Sequence, residues 1–171
     1  IGPGAQLQRH GIAVVHDLPG VGEHLHDHPD VVLLYDAPHL KDLFGVSAEA
    51  AVRIARGVMD WRRARTGMLT TNYAEAGGFI RSSAAESAPD LQLHFVIGKL
   101  VDHGRKTALG HGYSSHVCLL QPRSRGRVAL ASADPMALPL VDPNFLADED
   151  DLQRMVRGVR RMRDILSQPA L

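Results

Sequence analysis

The chain has 171 residues and a mass of 18.6 kDa, which suits one domain, or one domain with a piece of another. Lys and Arg number 19 and so do Asp and Glu, which excludes a nucleic-acid binder working by bulk charge and an acidic disordered tail. No apolar run approaches the ~20 residues that cross a bilayer as a helix, and the single Cys118 excludes an internal disulfide and a thiolate-rich zinc site.

The first residues, Ile1-Gly2-Pro3-Gly4, read as the tail of an interrupted element, so an excised segment of a larger protein is expected. Pro3 opens a short helix that Gly11 closes. Ile12 to Val15 is a β-branched run and reads as a strand. Asp17 to Gly22 is a loop of turn residues, and Glu23 to Pro29 carries three of the 10 His. Val31 to Tyr35 reads as a strand with a nearly continuous apolar face.

Ser47 is placed to cap a helix running to about Arg65, with Ala51, Ile54, Ala55, Val58 and Trp61 as its apolar stripe and Gly67 as its stop. Gly77 to Ile80 and Leu91 to Ile97 read as strands, and residues 101–112 as a loop. Ser114 to Leu120 and Arg127 to Ala131 pattern as a hairpin turned by Pro122 to Gly126, with Val128 and Leu130 facing the core. Pro139 to Val141 is short and extended. Asp148 to Asp151 crowd the start of a final helix. Its stripe is Leu152, Met155, Val156, Val159, Met162, Ile165 and Leu166, and Arg154, Arg157, Arg160, Arg161 and Arg163 form a solvated opposite face. Successive strands with hairpin-like links and long helices at two points predict an α+β domain, its largely antiparallel sheet covered by helices.

Three features can carry chemistry. His24-Leu25-His26-Asp27-His28 offers imidazoles and a carboxylate to a divalent metal, which would make the chain a metal-dependent hydrolase. The spacing is one residue short of a binuclear metallohydrolase run, and loop histidines satisfied by backbone are the plainer reading. His94 lies mid-strand with Gln92 and Val96 on its face. It is either a satisfied sheet histidine or a pocket imidazole that bonds a substrate oxygen. Glu75, before Gly77-Gly78, is a buried acid or an edge residue. Gly2-Pro3-Gly4 and Gly20-Val21-Gly22 do not complete a dinucleotide fingerprint, because Leu7 and Leu25 stand at the third glycine position. Cys118, between Val117 and Leu119, reads as core rather than nucleophile. A non-catalytic interaction domain is the remaining alternative.

Several stretches together resemble the glucose–methanol–choline oxidoreductases. They are Ile1-Gly2-Pro3 with His10-Gly11-Ile12, Asp17 to Pro29, Glu75 to Phe79, Pro89 to Phe95, Pro122 to Val128, Pro139 to Pro143 and the last helix. The choline dehydrogenase branch is the most similar. Each motif is weak alone; in this order and spacing they cover essentially the whole chain.

The resemblance implies oxidation of a primary alcohol to an aldehyde, with hydride transfer to FAD. It implies that residues 1–30 are a strip of the FAD-binding domain with a connecting loop, and 31–171 a substrate-binding domain whose sheet roofs the flavin. FAD is then bound mainly by segments outside this chain, the principal catalytic His lies downstream of it, and the chain alone is inactive. Carried over residue by residue, His94 points at the substrate hydroxyl, and Glu75 and Ala74 line the substrate site. Ala74 stands where choline-specific members have an aromatic residue facing the quaternary ammonium. Tyr73 is adjacent, but in a strand it points to the opposite face. A less polar primary alcohol than choline is therefore expected. The implied partners are that alcohol and the missing FAD domain, with no nucleic acid and no transmembrane segment. The implied location is the bacterial cytoplasm, with membrane association through an electron acceptor left open.

Overall fold

The computed structural model describes residues 1–106 and 108–169. Thr107, in the expected 101–112 loop, and residues 170–171 lie outside the described residues. The chain divides into two compact units: Ile1–Pro29 with Leu119–Arg154, and Asp30–Cys118 with Met155–Leu171.

The first unit opens with helix α1 (Gly4–Arg9) after Pro3, and Gly11 follows at φ 69. Leu7 is its buried contact. The Asp17 carboxylate accepts from the Gly4 amide at 2.7 Å, satisfying a free N–H of the first turn. Residues 12–15 are irregular rather than a strand. Among the described residues their β-branched composition finds no partner strand; the nearest pairing is the bridge between Gly2 and Asp17.

Strands β1 (Glu23–Leu25), β7 (Gly126–Ala129) and β8 (Leu140–Asp142) form an antiparallel sheet in the order β1-β7-β8. So β7 does not form the expected hairpin with the strand before it. Val128 and Leu130 are each 37% exposed, whereas Ala129 between them is half-buried. The face assignment fails because this small sheet leaves no deep core beneath Val128.

The Pro122 to Gly126 segment has another task. Asp151, fully buried, accepts from the Arg123 amide (2.8 Å), the Ser124 amide (2.7 Å) and the Ser124 hydroxyl (2.6 Å), and Arg154 Nη2 donates to it at 2.6 Å. The segment is thus tied to the first turns of helix α3 (Glu149–Leu166). Asp148 accepts from the Asp150 amide at 2.9 Å at the helix start. Arg154, expected on the solvated face, is 4% exposed and pairs with Asp150 and Asp151. The acidic cluster therefore includes a buried anchor, which a helix-dipole argument does not require.

The second unit is a sheet in the order β2 (Asp30–Asp36), β6 (Gly110–Leu119), β5 (Leu91–Val96), β4 (Ala74–Ile80), with β3 (Gly45–Val46) also on β6. The β2–β6, β3–β6 and β4–β5 pairs are antiparallel. β6 starts at Gly110, so the last residues of the expected 101–112 loop are strand. Helix α3 crosses one face at Gly158. A Cβ there would lie 2.7 Å from Val117 Cγ1 and 2.9 Å from Leu91 Cδ1, so only glycine allows this approach. Leu91 and Val117 are fully buried beneath it, and Met155 and Met162 flank the crossing.

Helix α2 (Ala48–Ala64) is capped by Ser47, whose hydroxyl accepts from the Ala50 amide at 3.1 Å. It ends with Arg65 in the left-handed conformation, two residues before the expected Gly67 stop. The Arg65 guanidinium lies 4.0 Å over the Trp61 ring, a contact that favours this cap. The stripe through Ile54, Val58 and Trp61 is exposed at 38–42%. The helix instead packs through Ala50 and Gly57, Gly57 lying against Met68 and Leu69. Largely antiparallel pairing with helices stands as expected.

Asp151→Ala leaves three donors without their acceptor and Arg154 without one of its carboxylates. It is expected to remove roughly 3–5 kcal/mol of local stability. The readout is amide hydrogen exchange of α3 in the full-length protein, and unchanged protection would contradict the anchor. Burial pushes the Asp151 carboxyl up, but the bonds from Ser124 and Arg123 and the Arg154 charge outweigh it and hold the group below its ordinary 3.8. The anchor's contribution is therefore complete above that value and is lost as pH falls below it.

Candidate functional site

Strand alternation decides which side chains share the sheet face away from α3. Leu91 in β5 and Val117 in β6 point at the helix, so the neighbours of opposite parity point away. These are Gln92, His94 and Val96 on β5, and His116 and Cys118 on β6. Asp30 lies opposite Cys118 in the β2–β6 register, and Gly77 lies opposite His94 in the β4–β5 register. Directly opposed residues share a face.

The result is a polar cluster drawn from three strands. His116 Nδ1 and Asp30 Oδ2 are 2.6 Å apart. A carboxylate only accepts, so Nδ1 carries the proton. The Cys118 thiol donates to the other Asp30 oxygen at 3.4 Å. The rings of His94 and His116 meet edge to face, their centres 6.3 Å apart. The His116 side chain is only 9% exposed, and among the described residues its buried Nε2 has no hydrogen-bond partner.

Burial pushes the Asp30 carboxyl up, but the hydrogen bond and charge of His116, with the Cys118 bond, more than offset it and hold it below the ordinary range. Burial, then the Asp30 charge and bond, pushes the Cys118 thiol up to about 12. Cys118 is thus a protonated donor that braces Asp30, not a nucleophile.

Two open cavities meet at His94. One, of about 280 Å³, is lined by Ala74, Glu75, Gly77, Phe79, Gln92 and His94. The other, of about 260 Å³, includes Asp30, Tyr73, Ala74, His94, His116 and Cys118. The fold therefore gathers Ala74, Glu75 and His94 around one groove. Glu75 is exposed at a register shift of the edge strand β4, so it is not a buried acid. Gly77 is needed in β4, since a Cβ there would lie 2.5 Å from the Leu93 carbonyl oxygen.

Tyr73 departs from expectation. It precedes β4 at φ 71, so strand parity does not govern it. It lies against Gly98, stacks edge-on to Phe44 at 5.5 Å and lines the same cavity as His94. Burial pushes its phenol up from 10.0.

The His24 to His28 run does not converge. His24 sits at φ 61, which breaks the strand alternation that would align it with His26 and His28. The Asp27 carboxylate accepts from the His28 amide at 2.8 Å. Among the described residues no three His, Cys, Asp or Glu side chains are grouped to hold a metal ion. The satisfied histidine of the sheet is His111: its Nε2 meets the Ser47 hydroxyl at 2.9 Å and its Nδ1 the Leu43 carbonyl at 3.1 Å.

Sequence reasoning missed Asp30 and His116. The alternation of Ser114, His116 and Cys118 with Val117 and Leu119 was the available signal for His116. Its partner is 86 residues away, which no local pattern encodes.

Comparison with known proteins agrees with this architecture. The family model described as GMC oxidoreductase matches residues 122–171. An alcohol dehydrogenase (acceptor) from Pseudomonas putida is 45% identical over the whole chain, which spans 31% of that protein. An oxygen-dependent choline dehydrogenase from Pseudomonas syringae pv. syringae is 40% identical, again over the whole chain and 30% of that protein. The chain belongs to the GMC oxidoreductase family. A structure of Aspergillus oryzae formate oxidase, determined to examine FAD modification, superposes with a TM-score of 0.79 at 26% identity, covering 97% of this chain and 33% of that one. This GMC chain therefore spans about a third of the length of the relatives it matches. Among the described residues no helix is long and apolar enough to cross a membrane.

At pH 8, Cys118 in the native full-length protein is expected to react with a maleimide at least about tenfold more slowly than free cysteine. Asp30→Asn, which removes the adjacent charge, should speed the reaction. Labelling as fast as free cysteine in the parent protein would contradict the assigned state.

Proposed function

We propose that this chain is the substrate-facing part of an FAD-dependent oxidoreductase that oxidises a primary alcohol to an aldehyde. The observation that carries the reading is the position of His94, on a sheet face free of α3 and at the junction of two open cavities. Whole-chain likeness to an alcohol dehydrogenase and a choline dehydrogenase supports it.

The residues present fit a place beside FAD rather than a cradle for its phosphates. Gly22 is crowded by the Val128 carbonyl and Gly4 lies against the Asp17 carboxylate, so one glycine of each pair is already taken up by the chain itself. The free face instead carries Gly77, which lies opposite His94 in the β4–β5 register. FAD is then held mainly by segments outside this chain, consistent with the FAD named for the formate oxidase. When bound, FAD supplies the acceptor for the hydride from the alcohol carbon.

This chain's residues supply binding and polarity. Removal of the hydroxyl proton builds negative charge on the alcohol oxygen, and His94 donates a hydrogen bond to that oxygen. Such a donor is worth about 2.7–4 kcal/mol at the transition state. Ala74 and Glu75 line the groove beside it, with Ala74 leaving room where an aromatic side chain would meet a quaternary ammonium. A neutral primary alcohol fits better than choline. Residues 1–30 act as a strip of the FAD domain with its connecting loop, and 31–171 as the substrate-binding domain, inactive without the rest of the protein. The protein works in the bacterial cytoplasm.

In the full-length protein, His94→Ala is expected to lower the limiting rate of flavin reduction by saturating alcohol about 10²–10³-fold, measured by anaerobic stopped flow. An unchanged rate would return His94 to a structural role.

A further inference from the structure

We propose that the cavity between helix α3 and the β4–β5 loop binds a phosphate group, as inorganic phosphate or on a small phosphate ester. This goes beyond the alcohol chemistry proposed above and does not depend on it.

The case begins with charge on one side of a helix. Arg157, Arg160, Arg161 and Asp164 are spaced i, i+3, i+4 and i+7, which places them on one face of α3. Among the described residues none of the four makes an ion pair. A guanidinium cannot give up its charge in a protein, and like charges one turn apart repel. The three arginines therefore stand as an uncompensated group, and Arg157 is half-buried within it.

A plain solvated face would open straight into water, but this one is roofed. The roof is the loop of residues 81–90, whose shape is fixed by its own bonds. Asp90 accepts from the Ser82 amide at 2.7 Å, the Ser83 hydroxyl oxygen accepts from the Ala85 amide at 3.2 Å, and Arg81 Nη1 donates to the Glu86 carbonyl at 3.2 Å. Loop and helix bound an open cavity of about 350 Å³, the size of a small-molecule site. Arg81 adds a fourth guanidinium to its lining and Ser83 a hydroxyl, while Asp164 is the single acid there. Ser82 also lines it, but its Oγ is closed off from solvent and is not offered to a ligand. Ile80, Ala84 and Leu91 supply the apolar wall, Leu91 being the residue that Gly158 packs against.

Four guanidinium groups against one carboxylate select an anion, and their approach from loop and helix selects its shape. Each guanidinium presents a planar fork of donors. A carboxylate has one charge and two oxygens in a plane. A phosphate carries close to two charges at neutral pH and spreads three acceptor oxygens around a tetrahedron. It can give the loop arginine and the helix arginines an oxygen each and offset more of their charge.

The test is isothermal titration calorimetry of the full-length protein with FAD bound, in phosphate-free buffer of low ionic strength, with inorganic phosphate and separately with succinate. Phosphate is expected to fill one saturable site with a Kd at or below about 1 mM, and to bind more tightly than succinate. The double variant Arg160→Gln, Arg161→Gln should weaken phosphate about tenfold or more. Arg163→Gln removes the same charge from the same helix away from the cavity, and should leave Kd within about twofold. Weaker or unsaturable binding to the parent protein overturns the proposal without any variant. So does binding that the double variant leaves intact, an equal loss in Arg163→Gln, which marks bulk charge, or equal or tighter binding of succinate.

Discussion

The burial of Leu91 and Val117 beneath Gly158 of α3 determines which face of the second unit's sheet is left for chemistry. Two strands commit one parity each to the helix, and the other parity must then point away. His94, His116 and Cys118 fall on the free face by that rule alone, and the β2–β6 register brings Asp30 to the same side. A one-residue slip of β6 would bury His116 under α3 and expose Val117. The glycine at 158 is what keeps that register favourable, because its missing Cβ lets the helix press on both apolar side chains.

Much of the architecture was legible because local rules and tertiary contacts agree. Ser47 caps α2 as its hydroxyl chemistry predicts, and Leu91 to Val96 is a strand by alternation and flanking turns. The failures have a common physical source. Ile12 to Val15 has strand composition but no neighbour to pair with. Pro122 to Gly126 has turn composition, yet its amides and hydroxyl serve a buried carboxylate 27 residues away. Arg154 has the identity of a surface residue, but two aspartates one turn back draw it inward.

The site shows the same division. Pattern alone singled out His94, as a polar residue in an apolar strand, and Glu75, before a glycine pair, while Ala74 and the substrate role of all three came only from the family resemblance. The carboxylate behind His116 was not legible, because Asp30 and His116 meet only after two strands have paired. The conspicuous histidine run at 24–28 was misleading in the opposite way. Density of ligand-type residues in sequence does not bring their side chains together, and a left-handed backbone at His24 ends the alternation that would have done so.

These features support one proposal: a sheet with one face covered by a helix and the other carrying imidazoles that we propose face an alcohol beside a flavin. The most direct test is a crystal structure of the full-length protein with FAD and an unreactive analogue of a primary alcohol. The account predicts the flavin ring over the face that bears Gly77 and His94, with one analogue oxygen in hydrogen-bond range of His94. A flavin lying away from that face, or an analogue bound out of reach of His94, would contradict it.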